Sequence, residues 1–186
     1  MVPTRAQAWT LLTEHTQSPH LVKHALGVEA AMRGYARRFG EDEELWGIVG
    51  LIHDFDYEEH PSLEEHPFVG TGILRELGWA EEIIHAVLGH GDHTGVERTS
   101  RLDRTLYAVD ELVGFIVAVA LVRPSKSVID LPIKSILKKF KDKAFCRAID
   151  RDHLRAAAAE LGVDMKEHMT CIVESLGAVA AELDLE

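Results

Sequence analysis

Apolar residues recurring every three to four positions are the feature that most constrains this chain. Leu21, Ala25, Val28, Ala31 (or Met32), Tyr35 and Phe39 follow that interval, and Gly40 closes the run. A 3.6-residue period places such side chains on one face of a helix, and glycine readily ends a helix in the left-handed conformation. Ser18-Pro19 opens the segment, with proline where a first helical turn accepts it. The same kind of pattern predicts helices over residues 4–16, 42–54, 61–78, 81–88, 102–122, 131–145, 154–161 and 165–183. No alternating pattern of useful length argues for a strand. Residues 116–122 are β-branched enough to mimic a strand, but their continuity with Leu106, Val109 and Val113 favours helix. There is no internal repeat, low-complexity linker or legible domain boundary, and 186 residues suit one domain. The expected fold class is all-α: a single compact bundle over residues 1–186.

Composition narrows the partners. An apolar share of 46% and a charged share of 27% fit a globular chain. A formal charge of -11 repels a polyanion and argues against binding to duplex nucleic acid. The longest apolar stretch, residues 112–122, is about half of what a bilayer requires, so no membrane partner is expected. Cys146 and Cys171 lie far apart and match no metal-binding spacing. With no basic-then-apolar leader at the N-terminus, they read as reduced thiols of a cytoplasmic protein.

The stretch "GLIHDFDYEEH", residues 50–60, ends an apolar helical run on His53 and Asp54. Either the helix turns polar there, or the imidazole and carboxylate converge on a cation. His24 lies among Leu21, Ala25 and Val28, where an inward imidazole needs a hydrogen-bond partner or a metal. Asp110, inside "LYAVDELVGFIVAVALV", is costly to bury without a cation or strong donors. His66 and His90 fall at element ends, where ligands to a cleft are common. Asp92 and His93 are looser candidates, and His20 reads as a solvated residue near a helix start. His15, His60, His85, His153 and His168 read as surface, and Asp56, Glu58 and His60 as an exposed loop after the pair.

The order His24, His53-Asp54, Asp110 in a helical chain resembles the HD superfamily of metal-dependent phosphohydrolases, whose hallmark is H…HD…D. The match covers roughly residues 20–125, with residues 126–186 expected to pack on that core. The resemblance implies that His24, His53, Asp54 and Asp110 bind a divalent metal, with His53 and Asp54 at the centre of the chemistry. "EEHPFVGTGIL" looks like the family's H-P-x-x-G segment and "AVLGHGDH" like its following histidine segment, which suggests His66 and His90 for a second metal. Gly91 stands where some members have a second adjacent histidine, and the GYP element linked to cyclic dinucleotides is absent. One or two metals are therefore expected, and Asp54 would bridge two.

A mixed imidazole and carboxylate set suits Mn, Fe, Co, Ni, Mg or Zn. The activity implied is metal-assisted hydrolysis of a small phosphorylated molecule such as a nucleotide. Arg123 and Lys126, following the Asp110 helix in a locally basic segment, are the expected phosphate clamp, with Glu29 and Arg33 as lesser lining candidates. Two rivals stand beside this reading: a metal-containing ligand-binding or regulatory module without catalysis, and a di-iron oxygenase. The sequence carries no statement of oligomeric state.

Overall fold

The structure, a computed structural model, describes residues 1–186. It is all-α: α1 Arg5–His15, α2 Pro19–Phe39, α3 Glu43–Ile52, α4 Phe68–Glu76, α5 Glu81–Gly89, α6 Arg101–Leu121, α7 Ile133–Lys141, α8 Arg151–Leu161 and α9 Met165–Ala178. A 3₁₀ turn, Asp92–Thr94, lies between α5 and α6. No helix is long and apolar enough to cross a membrane.

Local signals set the helix ends. Thr4 and Ser100 form capping boxes with Gln7 and Asp103, and Asp42 accepts the Glu44 and Leu45 N–H groups at 3.0 and 3.1 Å. Such caps are each worth about 1 kcal/mol. Gly40 ends α2 at φ 71°, a conformation a β-carbon would penalise.

Three boundaries differ from expectation by four residues or more. α4 starts at Phe68, because residues 53–67 run as turns. Within them Glu58 leaves its own segment to accept the Gln17 and Ser18 N–H groups at 2.8 and 2.9 Å at the start of α2. α7 stops at Lys141, where the Asp142 side chain accepts the Ala144 N–H at 3.1 Å. α9 stops at Ala178, and the chain after it turns back so that Leu185 O accepts the Val128 N–H at 2.9 Å.

The long helix α2 packs against α3, α6 and α9. Gly50 makes the α2–α3 contact close: a β-carbon there would meet Val28 O at 2.9 Å and Glu29 Cα at 3.0 Å. One apolar core runs from Ala8 in α1 to Leu185, with Tyr35, Phe55 and Phe115 fully buried. His168 belongs to this interior, not to the surface. It is 0% exposed, donates from Nε2 to Ala108 O of α6 at 2.9 Å, and accepts the Tyr35 hydroxyl of α2 at Nδ1. It thus joins α2, α6 and α9, meeting α6 two residues before Asp110. Burial lowers its pKa to about 4, so it stays neutral.

Candidate metal centre

Six side chains from five parts of the chain converge between α2, α3, α5 and α6. His24 comes from α2, His53 and Asp54 from the end of α3, His66 from the turn before α4, His90 from the end of α5, and Asp110 from the middle of α6. They form two donor sets. His24, His53, Asp54 and Asp110 make the first, and Asp54, His66 and His90 the second, with the ligand atoms of each set within 4.8 Å of one another.

Asp54 belongs to both through different oxygens. Its Oδ2 lies 3.3 Å from His53 Nε2 and 4.0 Å from His24 Nε2. Its Oδ1 lies 3.2 Å from the Nε2 of both His66 and His90. Asp110 Oδ1 completes the first set, 2.9 Å from His24 Nε2 and 3.4 Å from His53 Nε2.

The far side of three imidazoles is fixed by hydrogen bonds. His53 Nδ1–H donates to Gly50 O at 2.8 Å, His90 Nδ1–H to Val87 O, and His66 Nδ1–H to Asp56 Oδ1 at 2.7 Å. Each bond leaves the Nε2 lone pair facing the cluster, the arrangement metal-binding histidines adopt. Asp56 is therefore no part of an exposed loop. It is 1% exposed, and its Oδ2 accepts the Gly70 N–H at 2.7 Å. Gly70 has no room for a side chain, since a β-carbon would sit 2.7 Å from the Asp56 carboxyl carbon. That contact explains the glycine of the H-P-x-x-G segment.

The donor set fits divalent cations. His53 Nε2 is buried and lacks any hydrogen-bond partner, a costly state that a cation relieves. His66 and His90 oppose their Nε2 atoms at 3.2 Å, which needs a proton or a cation between two lone pairs. Donors bound at about 2.1 Å lie about 3.0 Å apart at right angles and about 3.4 Å apart at tetrahedral angles. The separations of 2.9 to 3.4 Å between neighbouring donors fall in that range.

Without a cation, protons take that place. Burial works against a charged His53, but Asp54 and Asp110 outweigh it and hold its pKa well above the ordinary imidazole value. Burial likewise opposes ionised Asp54 and Asp110, yet His53 and the other imidazoles keep both below the usual carboxylate range. His66, also opposed by burial, is pushed up to about 9 by Asp54 and Asp56.

Other candidates lie elsewhere. Arg123 is 13 residues beyond Asp110, about 20 Å along the α6 direction. Its guanidinium is held by Asp130 at 2.7 and 3.1 Å and by Ser127 O. Lys126 sits exposed in the turn after α6 at φ 52°. Neither joins the cluster, because helix length carries them away from it. Glu29 and Arg33 face another side of α2, where buried Glu29 binds Arg5 at 2.6 and 2.8 Å and Arg33 at 2.9 Å. Asp92 accepts the Tyr107 hydroxyl at 2.8 Å and His93 donates to His66 O, and neither side chain is among the six.

The family model described as "HD domain" matches residues 21–114, a span that holds all six clustered side chains. The chain belongs to the HD domain family. Among curated proteins, it is 29% identical over 98 residues to ribonuclease Y of Oleidesulfovibrio alaskensis, covering 52% of this chain and 18% of the relative. It is 31% identical over 81 residues to ribonuclease Y of Rhodopirellula baltica, covering 43% of this chain and 16% of the relative. The chain thus matches less than a fifth of the length of either relative. No solved structure matches it.

Proposed function

We propose that this chain is a metal-dependent phosphohydrolase that holds two divalent cations, with Asp54 shared between them. The observation that carries the reading is the division of the Asp54 carboxylate: one oxygen faces His24, His53 and Asp110, and the other faces His66 and His90. Divalent cations supply Lewis-acid polarisation of a phosphoryl oxygen and acidify bound water.

The protein's own part is charge and orientation. Four neutral imidazoles and two carboxylates carry a charge of about -2, so two dications leave about +2 in a chain that is otherwise strongly acidic. That local reversal suits a phosphate dianion. His53, His66 and His90 are held by Gly50 O, Asp56 and Val87 O, so their lone pairs need no reorganisation on loading.

The test is hydrolysis by the metal-loaded protein. Phosphomonoesters, nucleotides and short RNA oligonucleotides, the last suggested by the relatives' name, are screened with Mn, Co, Ni and Mg. Activity with at least one substrate, lost in Asp54→Ala, supports the proposal. A loaded protein that hydrolyses none would be a binding or regulatory module. Oxygen consumption by a diferrous form without hydrolysis would instead favour an oxygenase.

A further inference from the structure

Six of the chain's eight lysines fall between Lys126 and Lys143, and residues 123–147 hold eight basic side chains against two acidic ones. Both acids are already engaged: Asp130 binds Arg123 at 2.7 Å, and Asp142 lies 4.0 Å from Lys139. Ile136 and Phe140, four residues apart, turn one face of α7 into the core. Lys134, Lys138 and Lys141 therefore stand exposed along the opposite face, where no carboxylate pairs with them. Val122, Arg123 and Pro124 at the end of α6 share a shallow depression with Lys138, Lys139 and Lys141. The same connection leaves aliphatic side chains in solvent, with Val122 58% and Ile129 64% exposed.

We infer that this surface docks on an anionic lipid bilayer, with the lysines over the headgroups and Val122 and Ile129 entering the interface. Three features select lipid among polyanions. The free cations are lysines, compact point charges that suit a mobile field of headgroups. The arginine of the depression is already held in a two-pronged contact by Asp130, so its fork is not offered to a phosphate. The segment's two aromatic rings give a nucleic-acid base nothing to stack on, because Phe140 is buried and Phe145 packs edge-on against Phe115. Exposed aliphatic side chains among unpaired lysines are instead the composition of surfaces that lie on a bilayer. No helix is long and apolar enough to cross one, so the contact is peripheral. Val122 stands 12 residues beyond Asp110, about 18 Å along α6, which keeps this surface separate from the metal centre.

The test is sedimentation of the whole chain with lipid vesicles. Binding is expected to vesicles of equal parts phosphatidylcholine and phosphatidylglycerol, to weaken with added salt, and to be absent with phosphatidylcholine alone. Reversing two charges in the pair Lys138→Glu and Lys141→Glu should weaken it at least about tenfold. The pair Val122→Ser and Ile129→Ser leaves the charge intact and should weaken it at least about threefold. All four side chains are exposed, so an unchanged unfolding temperature and Mn content are expected and show that each variant is folded. No sedimentation with the anionic vesicles, or sedimentation that survives the lysine reversal, overturns the proposal. A serine pair that binds like the natural protein also overturns it, in favour of a general anion site. Titration with a single-stranded RNA oligonucleotide, lost on lysine reversal, would then assign that site to nucleic acid.

Discussion

Asp56→Asn isolates the role of a residue that touches no cation. Asp56 accepts His66 Nδ1–H on one oxygen and the Gly70 N–H on the other, and it is 1% exposed. Asparagine keeps only one acceptor oxygen, so its NH₂ must face one of the two donors. If it faces Gly70, a buried N–H is orphaned, at a cost of about 1–3 kcal/mol of stability. If it faces His66, the imidazole moves its proton to Nε2, which removes the lone pair aimed at Asp54, His90 and the second set. Losing such an orienting partner typically weakens metal binding about 10–100-fold, or about 1.4–2.8 kcal/mol. Calorimetric titration of the metal-free protein with Mn or Zn measures this directly. The second binding event should weaken by that factor, and the first, at His24, His53 and Asp110, should change little. Two events within twofold of the natural protein, with stability also unchanged, would refute the orienting role of Asp56.

Other expectations follow from neighbouring contacts. Gly70→Ala forces a β-carbon to within 2.7 Å of the Asp56 carboxyl carbon and 3.0 Å of Phe55 Cε1, and should cost about 1–3 kcal/mol in thermal unfolding and weaken the second site. His168 has a folded pKa of about 4 against an ordinary 6.5, so as pH falls the unfolded state takes up the proton first. Stability from neutral His168 is complete above pH 6.5, and about 3 kcal/mol is lost as pH falls towards 4. His168→Gln should flatten that part of the denaturation profile. Because His66 titrates near 9 without a cation, metal binding at pH 7.5 should release protons and weaken as pH falls. Calorimetry in buffers of different ionisation enthalpy counts those protons.

The helices were legible because they depend on local pattern, and the H…HD…D order was legible through the family resemblance it carries. Leu21 to Phe39 repeats at helical spacing, and His24, Asp54 and Asp110 interrupt apolar neighbours that make a polar group conspicuous. What escaped depended on distance in space. Asp56 looked solvated because Tyr57, Glu58 and Glu59 after it are exposed, yet the turn buries Phe55 and Asp56 together. Its partner His66 is ten residues away and meets it only through the turns of residues 53–67. Arg123 and Lys126 were attractive for their charge, but the rise of α6 already placed them about 20 Å along the chain from Asp110. His168 did carry a signal: Met165, Met169, Ile172 and Leu176 mark an apolar face of α9, and His168 borders it.

The most direct measurement of a shared-carboxylate centre is anomalous diffraction from crystals of the Mn-loaded protein. Two peaks are expected, one among His24, His53, Asp54 and Asp110, the other among Asp54, His66 and His90, with a different Asp54 oxygen touching each. A single peak, or a second one that does not touch Asp54, would contradict the two-cation centre.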